Sequence, residues 1–180
     1  MSAAAPCVHL VFGPVGAGKS THARALAVRE AAVRFAIDDW MHELFAPDLV
    51  DMRDFGWIMA RVRRCEQRIR ATALDVLRAG TPVVLDLGLM TAASRAALRA
   101  WAADNGHALH DHFVDAPAHV RAQRVRARNA TRGETFSFEV TPQMFEFMEK
   151  LFEPPAAAEL LGTTLVSCDD ESEPPARVSA

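Results

Sequence analysis

The sequence predicts an α/β fold, a three-layer sandwich in which helices cover both faces of a five-stranded parallel sheet. The first observation is that short apolar runs alternate strictly with longer amphipathic segments along the chain. The second is a glycine-rich turn, Gly13–Thr21, which joins an apolar strand directly to an Ala-rich helix. Because parallel strands end at one edge of the sheet, we expect the functional residues to lie at that edge.

The first two strands are followed by the polar residues that attract most interest. Residues 7–12 are a buried strand that runs into the glycine-rich turn, and the helix behind the turn continues to about Glu30. A second apolar run, Val33 to Ile37, ends in Asp38-Asp39. The Pro-broken stretch from there to Phe55 has no clear period, so the sequence predicts a loop on the acceptor side of the sheet.

The rest of the chain continues the alternation. Over 57–79 the apolar positions recur at steps of three and four residues, which predicts one long helix that ends at Gly80. The later elements are a strand over 82–87, a helix over 91–105, a strand over 108–114, helices over 117–129 and 141–154, and a strand over 161–167.

The composition fits a single globular domain. Half of the residues are apolar and 24% are charged, which is unlike a disordered chain. No apolar run approaches the roughly 20 residues of a membrane span, and the N-terminus lacks the basic flank and apolar region of a signal peptide. The three cysteines are too scattered for a disulfide framework or a zinc cluster. We therefore expect a cytoplasmic domain over 1–168 with a flexible tail over 169–180.

The turn matches the phosphate-binding loop of nucleotide-binding proteins, the P-loop, through Gly13-x-x-x-x-Gly18-Lys19-Ser20. Its glycines let backbone N–H groups wrap phosphates, its lysine reaches the β and γ oxygens, and its serine ligates Mg²⁺. The sequence therefore predicts a site for ATP and Mg²⁺. The residues predicted to bind the nucleotide are Gly13, Pro14, Val15, Gly16, Ala17, Gly18, Lys19, Ser20, Thr21 and Arg128.

Residues beyond the loop favour a kinase over other P-loop proteins. The chain has no Asn-Lys-x-Asp stretch for guanine, and it is short for a ring-forming ATPase. Arginines are dense from Arg121 to Arg132, where a helix passes into a glycine-containing loop. Because phosphoryl transfer spreads negative charge over the moving group, arginines from the same chain can stabilise it. We interpret residues 121–138 as an Arg-rich lid.

Carboxylates follow two of the strands at the predicted functional edge. Asp38 could take the proton of an acceptor hydroxyl, whereas Asp39 better fits a cap of the turn or helix that follows. Asp86 ends the third strand, where it could serve the Mg²⁺ site together with Ser20 or could contact the acceptor. The location of Asp86 is predicted, and its role stays open between these two.

These residues together resemble the P-loop kinase group that includes polynucleotide 5′-kinases, zeta toxins and chloramphenicol phosphotransferase. The resemblance spans about Val8 to Pro155 and includes Arg128-Asn-x-x-Arg132-Gly133. It implies a sheet order of 2-3-1-4-5, ATP as phosphoryl donor, Asp38 as the acceptor-side base, and Arg128 and Arg132 as lid arginines. The segment from Arg132 to Phe145 is also similar to one in bacterial ATP-binding, kinase-like proteins.

The acceptor is not identified by the sequence. Polynucleotide kinases carry an Arg three residues after the first Asp to hold a substrate phosphate, and this chain has Met41 there. With a net charge of −3, extended nucleic acid is a poor partner, so we expect a small-molecule or nucleotide-like acceptor. The leading hypothesis is a kinase that uses Asp38, Lys19, Arg128 and Arg132. An ATPase without a dedicated acceptor and a non-catalytic nucleotide sensor are the alternatives.

Two further groups of residues are interpreted as structural. His110 and His112 share one face of a strand, but no other metal ligand has a suitable spacing. The apolar residues between Phe136 and Phe152 recur mostly at three or four positions, which predicts a buried helical stripe.

Overall fold

Five parallel strands form one sheet at the centre of the molecule. The computed structural model describes residues 5–49, 54–132 and 138–167. The sheet order is β2-β3-β1-β4-β5, so the predicted fold class and strand order are confirmed. The strands are β1 Val8–Phe12, β2 Val33–Ala36, β3 Val83–Asp86, β4 Leu109–Asp115 and β5 Thr164–Ser167.

Helices connect the strands and cover both faces of the sheet. They are α1 Lys19–Arg29, α2 Ile37–Phe45, α3 Phe55–Arg78, α4 Ala92–Asp104, α5 Ala118–Thr131, α6 Pro142–Leu151 and α7 Ala157–Leu160, with a 3₁₀ turn at Ala46–Asp48. Within residues 5–49, 54–132 and 138–167, none of the helices combines the length and apolar character that crossing a membrane requires.

Helix α2 lies where the sequence predicts a loop, and this part of the prediction is wrong. The helix starts at Ile37, immediately after β2, and Asp38 and Asp39 occupy its first turn, where carboxylates favour the helix N-terminus. Trp40, Met41 and Phe45 provide its apolar face and pack against the core. The helix is only nine residues long, so the acidic start and Pro47 obscure its period in the sequence.

The two faces of the sheet have separate cores because alternate strand residues point in opposite directions. Leu10 and Leu85 face α3 and α4, in a cluster that includes Ile69 and Leu98. Val11 and Val84 face α1, in a cluster with Leu26. Helix α1, which begins at the phosphate loop, therefore covers one face of the sheet, and α3 and α4 cover the other.

A chain of three imidazoles connects β1, β4 and α1 on the α1 face. His9 Nδ1 lies 3.1 Å from His112 Nε2, and His112 Nδ1 lies 3.4 Å from His22 Nε2. His9 and His112 are buried, and burial lowers the pKa of all three histidines, that of His112 to about 4. The interpretation of His112 as a core histidine agrees with this burial, whereas His110 is exposed at the edge of the group.

A buried ion-pair network attaches the C-terminal part of the domain to α4. Arg95 is 0% exposed, and its Nε and Nη2 atoms donate to the two carboxylate oxygens of Glu159 in α7 at 2.5 and 3.0 Å. Arg99 bridges the same carboxylate to Asp111 in β4. The arginine hydrogen bonds hold the pKa of Glu159 down at about 2. The network joins α7 to α4 and β4, which lie about 50 to 60 residues earlier in the sequence.

Helix α6 is less buried than its apolar pattern predicts. Met144, Phe145 and Met148 are half-buried, and Leu151 is exposed. The ring of the exposed Phe147 meets that of Phe55 at the start of α3, with centroids 5.8 Å apart. The apolar stripe therefore covers part of the domain surface, and Phe136 lies outside the described residues.

Candidate functional site

The phosphate loop is packed tightly against the neighbouring strand and helix. A Cβ atom on Gly13 would lie 2.0 Å from the Val114 carbonyl oxygen, and one on Gly16 would lie 2.7 Å from that of Arg121. Both glycines also have positive φ angles, which other residues rarely adopt. The loop therefore needs glycine at these positions for two independent reasons, clearance and backbone conformation.

Helix α1 begins at Lys19, with Gly18 as its N-cap in the left-handed conformation. The free N–H groups of such a helix start favour anions. Ser20 and Thr21 follow in the first turn, Ser20 half-buried and Thr21 exposed. The loop sequence thus produces the strand, cradle and helix start that phosphate binding requires.

The Lys19 ammonium group lies over the loop. Its Nζ donates a hydrogen bond of 2.8 Å to the Pro14 carbonyl oxygen. Burial lowers the pKa of Lys19, and the carboxylates of Asp86 and Asp38 oppose that shift. Both carboxylates therefore lie close enough to Lys19 to stabilise its charge.

Arg128 reaches the same region from α5. Its Nε atom is buried and has no hydrogen-bond partner among the residues that the structure describes. Burial lowers the pKa of Arg128, while the charge of Asp38 opposes this change. A half-buried guanidinium with an unused buried donor next to a phosphate loop fits a phosphate oxygen.

Asp38 lies in the first turn of α2 and remains accessible to solvent. The protein atoms that surround the carboxylate on its loop side desolvate it and raise its pKa, and the Asp86 carboxylate raises the pKa further, whereas Lys19 and Arg128 lower it. The fold therefore brings four predicted site residues together: Lys19, Asp38, Asp86 and Arg128.

Arg34 in β2 belongs to this group, although sequence reasoning missed it. Its Nη1 donates to Asp39 Oδ2 at 3.0 Å, and its Nη2 donates to Asp86 Oδ2 at 3.3 Å. Asp39 therefore has an ion-pair partner in addition to its position at the helix start. The sequence did contain a signal for this residue, because Arg34 lies within a short apolar run that ends in Asp38-Asp39, and another strand ends in Asp86.

Two residues of the predicted lid differ in their placement. Arg121 is buried and supports the loop: it donates to Val15 O at 3.2 Å and pairs with Glu149 in α6, where Nη2 lies 2.7 Å from Oε2. Arg132 ends α5 in an exposed, left-handed conformation, and its catalytic role stays a prediction. Residues 133–137 of the predicted lid lie outside the described residues.

A cavity of about 520 Å³ opens at the carboxyl ends of β4 and β5. Phe113, Leu165 and Val166 give it apolar walls, and Asp115 adds a carboxylate. A smaller neighbouring cavity shares Phe113, Asp115 and Arg121 and reaches Pro14 of the phosphate loop. The sequence did not predict this cavity because its walls come from segments about 50 residues apart.

The donor set beside the loop suits Mg²⁺. Within the part of the chain that the structure describes, no three His, Cys, Asp or Glu side chains converge as a metal site. Mg²⁺ usually keeps several waters and needs only one or two protein oxygens when phosphates supply the others. The Ser20 hydroxyl and the Asp86 carboxylate are oxygen ligands of that kind, so the residues fit this ion.

Comparison with protein families gives a match over most of the chain. A family model described as an AAA domain matches residues 8–155. These residues include the phosphate loop, Asp38, Asp86 and Arg128. A search of curated proteins returns no match.

Kinases are among the solved structures of similar fold. A kinase-like protein from Chloroflexus aurantiacus has a TM-score of 0.67 and 18% identity, over 92% of this chain and 85% of that one. The APS kinase CysC of Mycobacterium tuberculosis, in complex with AMPPNP and APS, has a TM-score of 0.59 and 22% identity, over 92% and 91%. A gluconokinase from Sinorhizobium meliloti 1021 has a TM-score of 0.57 and 18% identity, over 91% and 82%. The chain belongs to the AAA domain family and has the P-loop fold of these kinases.

Proposed function

We propose that the protein is an ATP-dependent phosphotransferase that moves the γ-phosphoryl group to a hydroxyl-bearing small molecule. The observation that carries this proposal is the grouping of Asp38, Lys19 and Arg128 at the phosphate loop, with one buried Arg128 donor unused. A nucleotide sensor needs the cradle, but it has no need of a solvent-accessible carboxylate beside it. The two cations and the carboxylate are the parts that transfer requires.

Each residue of the site has a separate role in the proposed reaction. Backbone N–H groups of residues 13–18 and the start of α1 bind the phosphates, and Lys19 and Arg128 neutralise charge on the moving group. The acceptor oxygen forms a bond to the γ phosphorus as the bond to the ADP oxygen breaks, and the hydroxyl proton passes to Asp38. Mg²⁺, held by Ser20 and Asp86, would neutralise charge on the β and γ oxygens.

The side of the site that would bind the acceptor favours a small molecule that has no phosphate group near Met41. That side chain is partly buried against the core, so α2 offers no cation there. The neighbours named for gluconate and APS act on small molecules, which agrees with this proposal. The free cysteines Cys7 and Cys65 fit the reducing cytoplasm, where we place the reaction.

The test compares two adjacent carboxylates. Small hydroxyl compounds are screened for stimulated ADP release, and Asp38→Asn and Asp39→Asn are then assayed with the best acceptor. Asp38→Asn should lower acceptor-dependent turnover by roughly 10² to 10⁴ and leave nucleotide affinity nearly unchanged, because only the proton acceptor is lost. Asp39→Asn is the matched control, since the Asp39 carboxylate already pairs with Arg34.

Other outcomes point to the alternatives. ADP release in water that no acceptor stimulates indicates an ATPase, and ATP binding with negligible turnover indicates a sensor. If Asp39→Asn carries the large loss and Asp38→Asn is neutral, the base is Asp39. If neither substitution changes turnover, the general-base role is wrong.

A further inference from the structure

Arg34 makes contacts that no part of the transfer reaction described above uses. It projects from the edge strand β2, its side chain is only 15% exposed, and its guanidinium pairs with both Asp39 and Asp86. Its Nε atom is buried without a hydrogen-bond partner among the described residues. With most of its side chain buried and two carboxylate partners, Arg34 differs from an arginine in an ordinary surface ion pair.

The register of the sheet shows which way this group points. Arg34 pairs with Val84 and Ala36 pairs with Asp86 along β2 and β3. Residues two apart on a strand share a face, and Val84 belongs to the core cluster on the α1 side. Arg34 and Asp86 therefore lie on the face covered by α1, the helix that carries Lys19 and Ser20.

Two cationic side chains, Arg34 and Lys19, lie near the Asp86 carboxylate. It is 6% exposed and needs a positive partner, and it is also the foremost charge that acts on Lys19. If Arg34 were removed, the charge of Asp86 would lack its hydrogen-bonded partner and would compete with the phosphates for the Lys19 ammonium group. Asp86 Oδ2 accepts a hydrogen bond from Arg34, and the carboxylate could still help to hold Mg²⁺.

We propose that Arg34 is a positioning residue that holds Asp86 in place and thereby keeps Lys19 available to the nucleotide phosphates. The inference rests on the proposed ATP·Mg²⁺ site and assigns a residue to it. Arg34 acts through Asp86, whereas Asp39, whose side chain is 40% exposed, is a secondary partner of the same guanidinium. The fork of an arginine suits this task because it donates to two carboxylates at once.

The experiment measures the dissociation constant of the non-hydrolysable analogue AMPPNP with saturating Mg²⁺, by calorimetry, in two backgrounds. In the wild-type background, Arg34→Gln should weaken binding by about tenfold or more, as for the loss of a charge-assisted contact. In an Asp86→Asn background, the same substitution should change binding by less than about twofold, because no carboxylate remains to capture Lys19. The double variant lacks both charges, so it leaves no unpaired ion buried.

Asp39→Asn is the matched control because it removes the other partner of the same guanidinium, and it should change the affinity less than about twofold. Equal losses from Arg34→Gln in both backgrounds, or a lowered melting temperature with unchanged affinity, would show a merely structural role and overturn the inference. A large loss of AMPPNP affinity in Asp39→Asn would show that Arg34 acts through Asp39 instead of Asp86, and it would overturn the inference as well. Failure of the wild-type protein to bind AMPPNP contradicts the proposed function itself.

Discussion

At the scale of single residues, Lys19 allows a sharp comparison because the chain has only one other lysine, Lys150. Lys19 Nζ bonds to the loop at Pro14 O, whereas Lys150 is exposed on α6. Lys19→Ala should weaken binding of ATP analogues by about tenfold or more and lower turnover further, because a charge-assisted contact to phosphate is lost. Calorimetry and ADP release measure both effects.

Lys150→Ala is the control for this prediction, and both variants should keep the melting temperature of the free protein within a few degrees. Unchanged nucleotide affinity and turnover in Lys19→Ala would contradict the assignment of the phosphate loop as the nucleotide site.

Single residues also show where sequence reasoning is strong and where it ends. Lys19 and Asp86 were predictable because a motif or a strand end fixes each position relative to the sheet edge. Arg34 was missed because its importance depends on the pairing of β2 with β3, which brings it to a residue 52 positions away. Arg121 was expected in the lid, yet its contacts with Val15 and Glu149 make it a support of the loop.

At the scale of elements, α1 is bound to the sheet partly through histidines that must stay neutral. His9, His22 and His112 form a hydrogen-bonded chain with Arg29, Glu30 and His110 nearby. The pKa values of the three chain members are lowered, so below about pH 6.5 the unfolded chain binds protons that the folded protein does not. Stability from the neutral chain is present above that pH and is lost as pH falls towards about 4.

The prediction is that the free energy of unfolding falls as pH decreases from 6.5 to 4, by about 1.4 kcal/mol per pH unit for each proton taken up on unfolding. His112→Gln should make this slope shallower, since one titrating group is removed while hydrogen bonding is retained. Urea unfolding at several pH values measures the slope. An equal change in His42→Gln, where the histidine is exposed on α2, would mean that the buried chain is not the cause.

Element boundaries were predictable wherever the apolar period ran for several turns or a glycine ended it, as in α3. The period of α2 is too short to recognise, and its helical state follows from packing of Trp40 and Phe45 on the core. The histidine chain was also out of reach, because it depends on the register of β1 with β4 across more than 100 residues.

At the scale of the whole molecule, the Arg95–Glu159 pair joins the C-terminal part of the domain to its centre. Glu159 is 12% exposed, and removing its charge leaves Arg95 buried with a lost partner. Glu159→Gln should lower the free energy of unfolding by about 3 kcal/mol near neutral pH. Thermal or urea unfolding measures this change.

The acid dependence gives an independent check on the same pair. The folded pKa of Glu159, about 2, lies below its ordinary value, so its stabilisation is present above about pH 4.5 and is lost as pH falls towards 2. The difference between wild type and Glu159→Gln should therefore shrink in that range. The control is Asp75→Asn, which removes an exposed ion pair with Arg78 and should have little effect. A difference that does not shrink in acid would contradict the ion-pair explanation.

The direct junction of β2 with α2 sets a limit on how this chain can change in length. No residue separates Ala36 from Ile37, so Asp38 is fixed by the strand before it. One inserted residue at the junction would turn the helix by about 100° and carry the Asp38 carboxylate away from Lys19. The turn at Gly106, by contrast, has open space around it and leads to no site residue directly. Insertions and deletions should therefore be tolerated at the turn between α4 and β4 and be selected against between β2 and α2.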